Sequence, residues 1–152
     1  QVAGRAGRGP KGGRVLVQTR QPDHPALRFA AMHDAEGFLG AELEVRQSPV
    51  YPPHTSLVHL VVSGEDQTGV QARATALAEW CERTVAKSGL PIIVLGPAPS
   101  PIERIKERWR WHLILKVPSP ILGRWIRAAA SRLAGTRDGI RISLDRDPVS
   151  LM

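Results

Sequence analysis

The opening residues of the chain carry two arginines whose spacing suits phosphate chemistry. Arg5 and Arg8 stand three residues apart among glycines, in the stretch QVAGRAGR. On one helix face they can converge on a single phosphate, because a guanidinium is permanently charged, planar and able to bind an oxyanion through two hydrogen bonds. In nucleoside-triphosphate hydrolysis such an arginine stabilises charge on the transferred γ-phosphoryl group and contributes roughly 10³–10⁵ in rate. Spacing alone leaves an alternative, a solvated basic loop that touches phosphate backbones.

A second group of cations lies later in the chain, interleaved with two tryptophans. Trp109 and Trp111 occupy alternate positions with Leu113 and Leu115, so in a strand all four side chains point to one face. We therefore predict that the tryptophans lie in the core. The cations then remain available for nucleic-acid phosphates, and the alternative is that they are only solvated. The predicted nucleic-acid-binding residues are Arg104, Lys106, Arg108, Arg110 and Lys116.

The other titratable residues do not predict a metal site. Asp145 and Asp147 form a D-x-D pair, but no third ligand accompanies them in sequence, and metal ions need several ligands. We interpret this pair as structural, for example through pairing with a nearby arginine. The 5 histidines show no ligand spacing. The single cysteine, Cys81, permits neither a disulfide nor a cysteine zinc site within the chain and is predicted to be a small core residue.

Composition favours a globular protein with polyanionic partners. The chain has 152 residues, a net charge of +7 and 42% hydrophobic residues, with a pI near 10.7. Such charge indicates nucleic acid first and an anionic membrane second. No apolar run reaches the roughly 18 residues of a membrane span and no signal peptide opens the chain, so we expect a cytoplasmic protein. Because the chain begins at Gln1 rather than Met, we expect a fragment.

The first third of the chain predicts one strand and two helices. Residues 15–19 (VLVQT) are a short apolar run typical of a strand. Residues 25–47 carry helical spacing that is interrupted near Asp34. The prolines of SPVYPP at 48–53 end this region. We therefore predict two domains, residues 1–53 and 54–152.

The remaining residues alternate between strand and helix patterns. Strands are predicted at 57–63, 92–96, 109–117 and 140–144, and helices from Asp66 or Thr68 to Lys87 and from Ser119 to a closing Gly135. The order is β-α-β-β-α-β, in which each half requires a right-handed crossover. The prediction is a ferredoxin-like α+β domain, with a four-stranded antiparallel sheet and both helices on one face.

The motifs together resemble a known family. QVAGRAGR resembles motif VI, Q-x-x-G-R-x-x-R, of superfamily 2 helicases. Later segments narrow the resemblance to the replication-restart helicases of the primosomal protein N′ (PriA) family. These segments are GRVLVQT at 13–19, PDHP at 22–25, Phe38 with Glu42-Leu43 and Arg46, Pro52-Pro53, LGP at 95–97, RWRW at 108–111 and DRDP at 145–148.

The resemblance implies an activity and a nucleotide site. Residues 1–53 would be the end of the second RecA-like lobe of an ATP-dependent 3′–5′ DNA helicase. Gln1, Gly4, Arg5 and Arg8 match the motif VI positions that bind ATP between the lobes, and Arg8, supported by Arg5, would act on the γ-phosphate. ATP and Mg²⁺ would bind the full-length protein, and zinc would bind it through cysteines that are not in this chain. Without a Walker A loop or an acidic box, this chain alone should be inactive and bind no cofactor.

The resemblance also implies partners. The family's C-terminal domain is similar to a ribosomal small-subunit protein and contributes to binding branched DNA and single-stranded DNA-binding protein. We therefore expect branched and single-stranded DNA, single-stranded DNA-binding protein and other primosome proteins as partners, and no membrane. The expected role is recognition of stalled forks and assembly of the primosome for replication restart. The alternative is a non-catalytic DNA- or protein-binding adaptor with a degenerate ATPase.

Overall fold

The computed structural model describes residues 13–133 and 135–151, which form an α+β structure with four helices and five strands. The predicted motif VI residues Gln1, Gly4, Arg5 and Arg8 lie outside the described residues. In chain order the elements are α1 (Pro25–Ala31), α2 (Ala35–Val45), β1 (Ser56–Gly64), α3 (Gln67–Ser88), β2 (Ile93–Ile105), β3 (Arg108–Val117), α4 (Ser119–Leu133), β4 (Gly135–Arg137) and β5 (Ile140–Arg146).

The chain divides into two compact units, one ending at Glu42 and the other beginning at Leu43. The first contains α1 and most of α2, and neither helix has a buried residue. The predicted interruption near Asp34 is confirmed, and the Asp34 carboxylate accepts a hydrogen bond from the Gly37 N–H at 2.8 Å. The predicted strand at 15–19 is wrong: no strand precedes Ser56 in the described residues. These residues have no neighbouring strand with which to form backbone hydrogen bonds, so their apolar composition alone does not make a strand.

The second unit contains one antiparallel sheet with the strand order β2-β3-β1-β5-β4. The predicted element order is confirmed by β1, α3, β2, β3, α4 and β5. The predicted number of strands is wrong, because β4 pairs with β5 and makes the sheet five-stranded. The turn between them, Asp138-Gly139, has φ values of 51° and 74°, and Asp-Gly is a preferred pair for such a hairpin. The RecA-like lobe and the boundary after residue 53 stay predictions.

The hydrophobic core lies between the sheet and helices α3 and α4. Alternate residues of β1, Val58, Leu60 and Val62, are fully buried and pack in the same cluster as residues of both helices. Alternation in a strand sends every second side chain to the same face, so both helices cover one face of the sheet, as predicted. The helix residues of this cluster are Val70, Ala74, Leu77, Ala78, Cys81, Leu122, Trp125, Ala129 and Leu133.

Helix α3 is capped at both ends, and its N-terminal cap is Asp66, one of the two predicted. The Asp66 carboxylate accepts hydrogen bonds from the N–H groups of Thr68 at 3.2 Å and Gly69 at 2.9 Å, which have no partner within the helix. At the other end Gly89 takes the left-handed conformation with φ 63°, which glycine adopts without steric cost. Gly135, predicted to close α4, instead begins β4 with φ 136°.

Strand β2 extends well beyond the predicted segment 92–96. It runs to Ile105 at the edge of the sheet, and its pairing with β3 shifts register between Leu95 and Ala98 and again between Pro99 and Arg104. Prolines 97, 99 and 101 occupy alternate positions. Proline cannot donate to a ladder, so it is tolerated on edge strands and discourages pairing with another chain.

Candidate nucleic-acid interface

The β2–β3 hairpin places four of the five predicted nucleic-acid-binding residues at one end of the sheet. Its turn consists of Lys106 and Glu107, with φ values of 48° and 62°, between paired Ile105 and Arg108. Two positive φ angles give the twist that a two-residue hairpin requires. The sequence gives little signal for this turn, because neither residue is glycine or asparagine.

Arg104 and Arg108 are held by contacts within the protein. Arg104 forms an ion pair with Glu107, and its guanidinium lies 5.2 Å from the centre of the Trp109 ring. Arg108 donates hydrogen bonds from Nη2 to the carbonyls of Ser63 at 3.0 Å and Gly139 at 2.8 Å. Arg108 thus connects the end of β1 with the β4–β5 turn and stabilises the fold at this end of the sheet.

Arg110 has a basic neighbour that the sequence analysis did not identify. Ser63 in β1 pairs with Arg110 on one side and with Arg141 on the other. The two arginines therefore occupy the same face, opposite the helices, with Cα atoms about 10 Å apart, which is twice the strand spacing. In the described residues neither arginine forms an ion pair with a carboxylate. We call Arg104, Lys106, Arg108, Arg110 and Arg141 the basic sheet end.

Lys116 lies apart from the basic sheet end. It pairs with Leu57 near the end of β3, and only 6% of its surface is exposed. Its ammonium group lies 3.6 Å from the centre of the Tyr51 ring, a cation–π contact that is stronger when water is excluded. In this conformation its charge is directed at the ring of Tyr51 and not at solvent.

Trp109 and Trp111 pack against the hydrophobic core, as predicted from their parity with Leu113 and Leu115. Both rings are partly buried, so only part of each is open to a base. The basic sheet end therefore offers cations and hydrogen-bond donors for a sugar–phosphate backbone, but no exposed tryptophan for bases. Contacts of this kind suit a sugar–phosphate backbone and carry no sequence information.

Comparison with known proteins decides the family. Residues 47–149 match the family model described as "Primosomal protein N C-terminal domain". The chain belongs to this family. The resemblance predicted from the motifs is therefore confirmed, and the match covers the whole sheet together with α3 and α4.

Curated relatives carry one name. The chain is 40% identical over 119 residues to "Replication restart protein PriA" of Synechocystis sp., covering 78% of this chain and 14% of the relative. It is 37% identical over 116 residues to the protein of that name from Bacillus subtilis, covering 76% and 14%. With the Treponema pallidum protein it shares 33% identity over 153 aligned positions, covering 100% and 23%. The chain thus spans less than a quarter of these relatives' lengths.

The structure also pairs two histidines that sequence spacing did not connect. His59 on β1 and His112 on β3 lie on the face opposite the helices, with His59 Nε2 3.1 Å from His112 Nδ1. Burial lowers the pKa of His59, the charge of a protonated His112 lowers it further, and Asp145 partly opposes this. Burial and then Arg110 lower the pKa of His112. The pair is therefore favoured in its neutral form, with one ring donating to the other.

Asp147 has the structural role predicted for the D-x-D pair. Its Oδ1 accepts a hydrogen bond from the Leu57 N–H at 2.9 Å, its own N–H donates to the Leu57 carbonyl at 2.8 Å, and Oδ2 lies 3.3 Å from Arg146 Nε. These contacts attach the end of β5 to the start of β1.

The described residues contain no group of three or more histidine, cysteine, aspartate or glutamate side chains that could hold a metal ion. Cys81 is buried, as predicted, and burial raises the pKa of its thiol to about 11. It therefore stays protonated, unlike the thiolates that bind zinc. No described helix is long and apolar enough to cross a membrane.

Proposed function

We propose that this chain is the C-terminal part of an ATP-dependent 3′–5′ DNA helicase. In the cytoplasm the full-length protein would recognise stalled or branched replication forks and direct primosome assembly for replication restart. The observation that carries this proposal is the family match over residues 47–149, together with relatives named replication restart proteins. The basic sheet end adds a surface of suitable charge.

The proposal divides the motor chemistry between this chain and the rest of the full-length protein. Gln1, Gly4, Arg5 and Arg8 would contact ATP, with Arg8 placed to stabilise negative charge on the γ-phosphoryl group. The residues that hold Mg²⁺ and the adenine nucleotide would come from other parts of the motor. Zinc would likewise be held elsewhere, since the only cysteine here is a buried thiol.

The basic sheet end would contact the DNA backbone. Lys106, Arg110 and Arg141 have no carboxylate partner in the described residues, so their charge is available to phosphates. Arg104 would join them by exchanging Glu107 for a phosphate, because an exposed ion pair contributes only about 0–1 kcal/mol. Single-stranded DNA-binding protein and other primosome proteins would bind this family domain at other surfaces.

The test of the motor role uses the full-length protein. Arg5→Ala and Arg8→Ala should each abolish most ATP turnover, by roughly 10³-fold or more for the arginine on the γ-phosphate, while fork-DNA affinity is retained. Arg20→Ala, which removes an exposed charge from the same N-terminal region, is the matched control. Unchanged turnover in both variants would refute the role of these arginines, and a full-length wild type that hydrolyses no ATP would favour a non-catalytic DNA- or protein-binding adaptor.

The test of the DNA surface is the salt dependence of binding. The logarithm of the association constant of this chain for fork DNA should fall linearly with the logarithm of salt concentration, by about 0.7–0.9 per phosphate contacted. Arg110→Gln with Arg141→Gln should reduce this slope. A flat salt response of the wild-type chain would mean that the domain binds protein instead of DNA.

A further inference from the structure

A polar cavity lies on the helix side of the sheet, on the face opposite Arg110 and Arg141. It has a volume of about 360 Å³ and opens between α3, the last turn of α4 and the β4–β5 hairpin. Three arginines from three different elements line it: Arg73 from α3, Arg132 from α4 and Arg137 from β4. Ser131 and Thr136 add hydroxyl groups to its wall. We call this the arginine cavity.

The additional strand β4 is what brings the third arginine to the cavity. Arg137 pairs with Ile140, and Gly135 pairs with Ile142, a core residue on the helix side of β5. Because directly paired residues point to the same face, Arg137 stands on the helix side, next to the end of α4. A Cβ atom at Gly135 would meet no atom within 4 Å, so the space next to Gly135 is open.

The arginine cavity has an excess of positive charge. No carboxylate lines it among the described residues, and in that part of the chain neither Arg73 nor Arg132 forms an ion pair. Arg137 Nε lies 3.5 Å from Asp138 Oδ2, but both side chains are at least 80% exposed, so this pair competes weakly with another anion. The C-terminus of α4 adds only about half a negative charge. Three guanidinium groups therefore outweigh the local negative charge.

We propose that the arginine cavity binds a phosphate of a nucleic-acid backbone. A planar carboxylate is satisfied by the fork of one guanidinium, whereas a phosphate presents oxygens in several directions and suits donors that converge from three elements. The β4–β5 hairpin carries Arg137 on one face and Arg141 on the other, so the cavity lies beside the basic sheet end across this hairpin. This inference rests on the proposed DNA binding and adds to it a second, helix-side phosphate contact.

The decisive experiment compares two double variants of the 152-residue chain that remove the same charge. Arg132→Gln with Arg137→Gln alters the arginine cavity, and Arg124→Gln with Arg127→Gln alters exposed positions of the same helix α4 that do not line it. All four side chains are exposed, so both variants should fold, which circular dichroism verifies. Binding of single-stranded and forked DNA is measured by fluorescence anisotropy at several salt concentrations.

The cavity variant should lose about tenfold in DNA affinity, as expected for charge-assisted hydrogen bonds, and its salt slope should fall by about 0.7–0.9 for one lost phosphate. The control should change less than about threefold, since surface substitutions away from a contact have small effects. Arg132→Lys with Arg137→Lys keeps the charge but not the fork, so it should restore the salt slope and only part of the affinity.

Four outcomes would overturn the inference. Equal losses in the cavity and control variants would mean that α4 acts through general charge alone. Unchanged DNA affinity in the cavity variant, with salt-dependent binding by the wild type, would refute the cavity and leave the basic sheet end standing. Inorganic phosphate or ATP bound at the cavity, with no change in DNA binding on mutation, would identify a small-anion site instead. A wild-type chain that binds no DNA would refute the proposed DNA role and the cavity's assignment together.

Discussion

The two faces of the sheet use alternate residues of the same strands for different purposes. On β1, Val58, Leu60 and Val62 face α3 and α4 and are fully buried. His59, one residue away, faces the other side and meets His112. In β1 and β3 most residues on the helix face are apolar, whereas those on the opposite face include histidines, arginines and a buried lysine. Stability is therefore concentrated on one face, and the groups that can respond to charge or pH are concentrated on the other.

The largest expected difference between the faces is in packing. Leu60→Ala should lower the free energy of unfolding by about 2–5 kcal/mol, because a fully buried leucine leaves a cavity that its neighbours only partly fill. Val61→Ala, on the adjacent residue of the opposite face, is the control and should cost about 1 kcal/mol. Urea unfolding monitored by tryptophan fluorescence measures both. Equal losses would show that the opposite face is packed as tightly as the helix face.

Arg108 tests whether a cation of the basic sheet end stabilises the fold. Arg108→Ala should reduce stability by about 1–2 kcal/mol, because the carbonyls of Ser63 and Gly139 lose a charged donor. Arg110→Ala should change stability by less than about 0.5 kcal/mol while weakening DNA binding. The same urea titrations, with DNA binding measured in parallel, separate the two roles. An unchanged stability of Arg108→Ala would contradict the structural role assigned to it.

The histidine pair makes the opposite face sensitive to acid. The pKa of both His59 and His112 is lowered in the folded protein from the ordinary histidine value of 6.5. Below about that pH the unfolded chain therefore binds more protons than the folded protein. Stability should therefore be full above that pH and fall as the pH drops below it, by at most about 1.4 kcal/mol per pH unit for each proton. Unfolding is measured from pH 7.5 to 5.5.

His59→Gln should reduce this pH dependence, because glutamine does not titrate and only His112, whose pKa is lowered by burial and Arg110, still contributes. His33→Gln, at an exposed histidine of the first unit, is the control and should leave the wild-type slope. The groups that face the pair are Arg110 on β3 and Asp145 on β5. Parallel curves for wild type and His59→Gln would show that the pair does not control acid stability.

The sequence predicted most elements of the second unit because its local signals agree with the fold. Helix α3 begins after a capping aspartate and ends at a glycine, and β3 alternates between apolar and polar residues except at Ile114. Prediction failed where pairing decides the structure. Residues 15–19 have the composition of a strand but no neighbouring strand, and β4 is too short to show periodicity. The Asp138-Gly139 pair is the one local signal in the sequence for the β4–β5 hairpin.

The candidate site was predictable in part. The cations of β3 and the inward direction of Trp109 and Trp111 followed from parity. Arg141 was not identified, because only the pairing of β1 with both β3 and β5 places it near Arg110. Strand alternation correctly places Lys116 on the face opposite the helices, but it cannot show that the ring of Tyr51 covers the ammonium group. The roles of Gln1, Gly4, Arg5 and Arg8 stay predictions.

The sequence by itself determined the family, the α+β class and the order of β1, α3, β2, β3, α4 and β5, because motif spacing, capping residues and hydrophobic periodicity act over a few residues. Only the tertiary structure decided which distant residues meet: His59 with His112, Arg108 with Gly139, and three arginines in one cavity. These contacts depend on strand register and helix packing, which place side chains together across as many as 64 positions of sequence for Arg73 and Arg137. Local pattern contains no direct information about such pairs.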